Sequence, residues 1–443
     1  MRILFVTIDA EESMRGIGAI MKNLIRAARE DGHEVGLLTG IPYKHAYEGN
    51  KELRDRVEHI HLQHYLLEGR KSFRYMIKGG YRRRTAIKMM LKLKFLEHSL
   101  MKVRPELLSG KKTLAHELDF IIRAPFAYQF IARNKARVSR MIVGRIARAY
   151  DVDVVYAVSP TILRSKDLGH RTKLVTFVHD IMPLELIEDP ADNGTQVRFA
   201  RQVETALKHS DLVQVNSKNT AEKLKPFKPR CKVDVVYGVV SSVPEDLSDS
   251  AILEMKNLQP QNYLLYATGI EKRKNVGGLL EAYAIAYDRI RKPLVIIGAP
   301  AFGVEDIVEI YESLPGHIQD NVLFTGFISE EDKFTLYKNA LIFTFPSFSE
   351  GFSITVLEAM SYGIPVLTSR GGALPETAAD AALYVENPYD IHEIAEKMVE
   401  LANNRALRTR LSELGRERQR QFTFKHFKDK VGDSLKRLEK EGK

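Results

Sequence analysis

Short apolar runs separated by helix-length segments recur along this chain, and they come in two series. The first comprises "RILFVTI" (2–8), "HEVGLLTG" (33–40), "DVVYAV" (153–158), "KLVTFVHD" (173–180), "DLVQVNS" (211–217) and "KVDVVYGV" (232–239). A polar stretch, 241–261, interrupts it. The pattern then restarts with "NYLLYATG" (262–269), "PLVIIGA" (293–299), "NVLFTGF" (321–327), "LIFTFPS" (341–347) and "PVLTS" (365–369). Strands alternating with helices build parallel sheets covered on both faces. A chain of 443 residues is also too long for one hydrophobic core. The expectation is an α/β protein of two doubly wound domains, 1–240 and 262–424, facing each other across a cleft, with 241–261 as linker. A helix at 425–443, with Phe427, Val431, Leu435 and Leu438 on one face, is free to pack on either domain.

One cysteine, Cys231, excludes an internal disulfide framework and favours a reducing compartment, so a cytoplasmic location is expected. The amino-terminal apolar run reads as a buried strand, not as a cleavable leader. No apolar stretch reaches the ~18 residues of a spanning helix. The net charge of +10 is concentrated: 70–112 holds fourteen Lys/Arg against two acids, Glu97 and Glu106. Met89, Leu93, Leu96, Leu100 and Val103 form a helical stripe there. A basic amphipathic helix of this kind docks on an anionic membrane surface. The same pattern fits a packed helix with solvated lysines. Nucleic acid is not expected as a partner, because no recognition motif accompanies the charge.

Ligands of doubly wound sheets bind beyond the carboxyl ends of the strands. Glu350 lies in such a loop after "LIFTFP", and a helix begins near Ser353 and ends at Gly363. Glu358 sits in mid-helix between Leu357 and Ala359, where a carboxylate is costly unless its oxygens find partners. The free N–H groups of Phe352, Ser353 and Ile354, beside Gly351, form an anion-binding turn. Two hydroxyl-seeking acids around an anion site suit a nucleotide sugar: one acid for the sugar, the amides for a phosphate, the other acid for the ribose diol. The plainer alternative is a loop glutamate and an exposed helix edge.

The stretch "EGFSITVLEAMSYGIPVLTS" (350–369) resembles the E-x7-E signature of the family-4 (GT4) retaining glycosyltransferases, and "GGALPETAADAALYVENPYD" continues the likeness. The resemblance implies the GT-B fold, two Rossmann-like domains across a cleft. It implies that Glu350 contacts the donor sugar and Glu358 the ribose, with the backbone at 352–354 near sugar and phosphate. The pocket around Phe352 and His179 is then expected to select the sugar. It further implies transfer from a nucleoside diphosphate sugar, such as GDP-mannose or a UDP-sugar, to a glycan or lipid-linked acceptor in surface polysaccharide or lipopolysaccharide assembly. No separate cofactor and no metal are expected.

After the strand "YATG", residues 271–274 read Glu-Lys-Arg-Lys. Cations at a strand's carboxyl end can neutralise the charge growing on a departing diphosphate. "GIEKRKN" resembles the family's diphosphate-binding segment, which assigns that work to Arg273 and Lys274. Many relatives carry the Arg directly after the strand glycine, where this chain has Ile270, so Lys274 is the firmer assignment. In "MRGIGAIM", Met21 stands where a dinucleotide fingerprint has its third glycine. Gly16 and Gly18 therefore read as a phosphate-approaching loop, similar to the family's "GGIG", or as simple turn glycines. "VTFVHDIMP" places His179 and Asp180 at a strand end, and the resemblance puts the His against donor sugar or acceptor. Asp180 is either a ligand contact or a turn cap. Asp151-x-Asp153 lies before a strand, at its amino end, and reads as a turn. A GT-B epimerase and a non-catalytic nucleotide-sugar-binding protein remain open as alternatives.

Overall fold

This computed structural model of the protein describes residues 1–6, 17–39, 100–102, 119–123, 136–185, 193–240, 251–300, 303–326 and 328–440. Eight strands form the first sheet: β1 (Arg2–Val6), β2 (Glu34–Thr39), β3 (Leu100–Lys102), β4 (Phe120–Arg123), β5 (Val154–Ala157), β6 (Lys173–Val178), β7 (Leu212–Val215) and β8 (Lys232–Val235). Their spatial order is β3-β4-β2-β1-β5-β6-β7-β8, parallel except for the β3–β4 pair. The second sheet holds β9 (Leu264–Ala267), β10 (Leu294–Ile297), β11 (Val322–Gly326), β12 (Ile342–Phe345), β13 (Val366–Ser369) and β14 (Ala382–Val385). Its order is β11-β10-β9-β12-β13-β14, every pair parallel. The strand direction of travel reverses at β1/β5 in one sheet and at β9/β12 in the other, the switch points where such folds open a ligand crevice. β5, β7, β9, β10, β12 and β13 are buried at every position. That explains their uninterrupted apolar runs, since helices cover both faces of a parallel sheet.

The first sheet has apolar clusters on its two faces, one with Met21, Leu24 and Ile25 of the helix Ile17–Glu30, the other with Val143 and Ile146 of the helix Ala136–Ala149. The carboxyl-terminal helix, Phe424–Lys440, joins the first of these clusters through Phe427, Val431, Leu435 and Leu438. The chain thus returns to its amino-terminal domain after completing the second. Lys428 reinforces the return by pairing with Glu30 at 3.3 Å. Within the expected linker, residues from 251 onward fold into a helical turn, Ile252–Met255, and bury Ile252 and Leu258 in the carboxyl-terminal core. The basic stretch 70–112 lies outside the described residues except for the backbone of β3.

Candidate active site

The loops that carry the acids and the cations leave the second sheet at its switch point. After β9, residues Lys272–Lys274 make a 3-10 turn and Asn275, at φ 56°, redirects the chain into the helix Val276–Ile290. After β12, residues 346–353 run to the helix Ile354–Ser361. Main-chain and side-chain bonds bind the two loops together. The Arg273 carbonyl accepts from the Phe348 N–H at 3.2 Å, and the Asn275 amide donates to the carbonyls of Pro346 (3.1 Å) and Pro388 (2.6 Å). Beneath them, Gly372 at φ 61° approaches so closely that a Cβ would stand 2.4 Å from the Glu350 carbonyl.

The Arg273 guanidinium lies between two carboxylates, Glu350 at 3.1 Å and Glu271 at 3.2 Å. Ser347 donates a second hydrogen bond to the same Glu350 oxygen at 3.0 Å. Only 11% of the Glu350 side chain and 23% of that of Arg273 is exposed. The charges therefore act in a partly desolvated setting, where they interact more strongly than in bulk water. The Lys274 ammonium donates to the Thr268 hydroxyl beside them. Lys272, by contrast, pairs with Asp306 at 2.9 Å on the exposed side of the turn. Glu358 finds the partner its mid-helix position demands: Lys333 donates to it at 3.0 Å, while Val356, Leu357, Ala359 and Met360 are buried.

The amino-terminal domain meets this cluster. Met182 Sδ stands 3.6 Å from the Arg273 guanidinium. A Cβ on Gly351 would stand 2.8 Å from both the Asp180 Cβ and the His179 carbonyl oxygen, so this glycine permits the two strand-end loops to touch. His179 bonds through Nε2 to the Val158 carbonyl at 2.8 Å, linking the carboxyl ends of β5 and β6. A carbonyl accepts only from an N–H, so a neutral ring leaves Nδ1 as an acceptor. Burial lowers the His179 pKa to about 4, which keeps the ring neutral near pH 7. Burial raises that of Asp180 to about 6, against the opposing pull of Arg273. Asp180 also accepts from the Met182 N–H at 3.1 Å, the turn-capping bond.

Ser353 takes φ 72°, in the left-handed region, and opens the helix Ile354–Ser361. The Phe352 ring is buried against Tyr237, Phe422 and Gly238, not directed at His179. Gly18 is buried inside the helix Ile17–Glu30, and Gly16 lies outside the described residues. Asp153 accepts from the Arg2 N–H at 2.7 Å, and Asp151 sits in a turn at φ 47°. Sequence reasoning missed Ser347, Thr268, Asn275 and Met182. Their residue types carry no signal apart from the loops that bring them together.

Two doubly wound sheets whose strand-end loops meet at a charged cluster match the GT-B architecture. Residues 252–418, most of the carboxyl-terminal domain, match the family described as "Glycosyl transferases group 1". The chain is 33% identical over 177 residues to O-antigen chain mannosyltransferase B of Escherichia coli, covering 40% of this chain and 46% of that one. It is 25% identical over 303 residues to N-acetyl-alpha-D-glucosaminyl L-malate synthase of Bacillus anthracis, covering 66% and 75%. The structure of sucrose-phosphate synthase from Thermosynechococcus elongatus superposes with a TM-score of 0.67 at 16% identity, covering 99% of each chain. The chain thus spans less than half the length of the first of these relatives.

Proposed function

We propose that the protein transfers a sugar from a nucleoside diphosphate sugar to a hydroxyl of a glycan or lipid-linked glycan, with retention of anomeric configuration, in surface polysaccharide assembly. The observation that carries this reading is Arg273, held between Glu350 and Glu271 beside Lys274 at the β9/β12 switch point. There a diphosphate leaving group would meet two cations, and the sugar an acid.

In the reaction, the bond from the anomeric carbon to the diphosphate oxygen breaks and a bond to the acceptor oxygen forms on the same face. The acceptor proton passes to the departing diphosphate. Arg273 and Lys274 neutralise its growing charge, the electrostatic contribution that dominates many active sites. Glu350 and the amides at 352–354 hold the sugar and its phosphate, Glu358 the ribose diol, and His179 accepts a hydroxyl through Nδ1. The departing diphosphate serves as the base, so the proposed course is a front-side displacement. Resemblance to a mannosyltransferase makes GDP-mannose the first donor to try, with UDP-sugars next.

Among the described residues no helix is long and apolar enough to cross a membrane. Contact with an anionic membrane face is assigned to the basic stretch 70–112 on its charge alone. Incubation with each donor, alone and with a lipid-linked glycan, tests the whole reading. Transfer with retention supports it; an epimerised donor without an acceptor, or tight binding with no turnover on any acceptor, would replace it with one of the alternatives.

A further inference from the structure

Glu376 belongs to the short helix Leu374–Ala378 of the carboxyl-terminal domain, yet its carboxylate is satisfied by the other domain. One oxygen accepts from the Lys218 N–H at 2.7 Å and from the Tyr237 hydroxyl at 2.8 Å; the other accepts from the Asn219 N–H at 2.9 Å. Lys218 and Asn219 open the helix Lys218–Leu224, whose third free N–H, of Thr220, is taken by Ser217. The first turn of that helix is thus capped largely across the domain boundary, where negative charge is favoured. Behind Glu376, Arg418 donates to the carbonyls of Thr377 and Glu376. Tyr237, which leaves the first sheet toward the second domain, stacks on Phe352 of the anion turn at 5.7 Å.

We infer that Glu376 is a positioning residue: its carboxylate latches the two domains in the arrangement that presses Gly351 against Asp180 and brings Met182 to Arg273. It touches none of the proposed reacting atoms. Opening the cleft must break all three bonds and leave two helix N–H groups uncapped, so loss of the carboxylate shifts the population toward open forms. A donor that binds the closed form then has its apparent affinity reduced in proportion to the closed fraction. This kinetic consequence rests on the proposed transfer reaction; the latch itself does not.

The test is a pulsed-dipolar distance measurement on the full chain without donor, with spin labels at Lys208 and Glu312 and Cys231 replaced by Ala. Glu376→Gln should lengthen and broaden the distance distribution, and Tyr237→Phe, which keeps the ring stack, should do so to a smaller extent. In kinetics Glu376→Gln should raise the donor KM roughly tenfold with kcat largely retained at saturation, and Glu376→Asp should recover part of the loss. An unchanged distance distribution in Glu376→Gln overturns the latch. If that variant does not fold, an unchanged Tyr237→Phe distribution does the same. A wild type without transferase turnover defeats the proposed reaction and leaves the distance result to decide the latch.

Discussion

Arg273 Nη1 lies 3.1 Å from Glu350 Oε1, an ion pair that joins the loop after β9 to the loop after β12 across the switch point of the second sheet. Neither residue is free to serve as a simple surface charge. The pair also sits where Met182 and Asp180 of the first sheet arrive. In the proposed reaction an incoming donor would meet this cation and an acid held by the Ser347 hydroxyl.

Glu350→Gln keeps the shape of the side chain and removes its charge. Charge-assisted hydrogen bonds contribute about 1.5–3 kcal/mol, so kcat should fall by about a hundredfold with a smaller change in donor affinity. Steady-state kinetics with the preferred donor measure this. A change confined to affinity would point to a binding protein.

Lys274→Ala deletes a cation beside the proposed leaving group. Turnover should fall by about 10²–10³, the range for loss of one preorganised electrostatic contact. An unchanged kcat would remove Lys274 from the reaction.

Gly351→Ala would place a methyl carbon 2.8 Å from Asp180 and from the His179 carbonyl. The two strand-end loops must separate, and displacement of reacting groups by an ångström costs on the order of a hundredfold in rate. Activity should fall by that order while each domain keeps its fold, readable by circular dichroism.

Glu358→Ala leaves Lys333 without its partner and the proposed ribose diol without an acceptor. Donor affinity, measured calorimetrically, should weaken roughly tenfold, about 1.4 kcal/mol, with kcat less affected.

His179 and Asp180 impose opposite pH slopes on stability. The Asp180 pKa is raised from 3.8 to about 6, so its contribution falls as pH rises through that window. The His179 pKa is lowered from 6.5 to about 4, so its contribution is present above 6.5 and is lost as pH falls toward 4. Asp180→Asn should therefore be more stable than wild type above pH 6, gain nothing below pH 4, and lose stability on acidification. His179→Gln should show the reverse slope. Thermal melts from pH 4 to 7 measure both, and parallel curves for all three proteins would refute the assignment.

The architecture was legible because a parallel sheet buried on both faces writes itself as uninterrupted apolar runs, as in "LIFTF" and "LLYA". β14 was missed: "ALYV" is a half-buried edge strand, and its pattern is weak. The positions of Glu350 and Arg273 followed from their place after strands, but their pairing did not, since 77 residues separate them. Glu376 gave no hint of its role. A glutamate in a helical turn looks solvated until the fold brings Lys218 and Asn219, some 158 residues away, to its oxygens. The packing of the Phe352 ring was not legible for the same reason, because Tyr237 and Phe422 come from distant parts of the chain.

Thermal denaturation of the wild type and of Lys274→Ala with GDP-mannose and a series of UDP-sugars tests the proposed site most directly, since a ligand that binds the folded state raises its melting temperature. At least one of these donors should raise the melting temperature of the wild type, and the rise should shrink in Lys274→Ala. Equal shifts in both proteins, or none with any nucleoside diphosphate sugar, would contradict a donor held by Arg273 and Lys274 in the interdomain cleft.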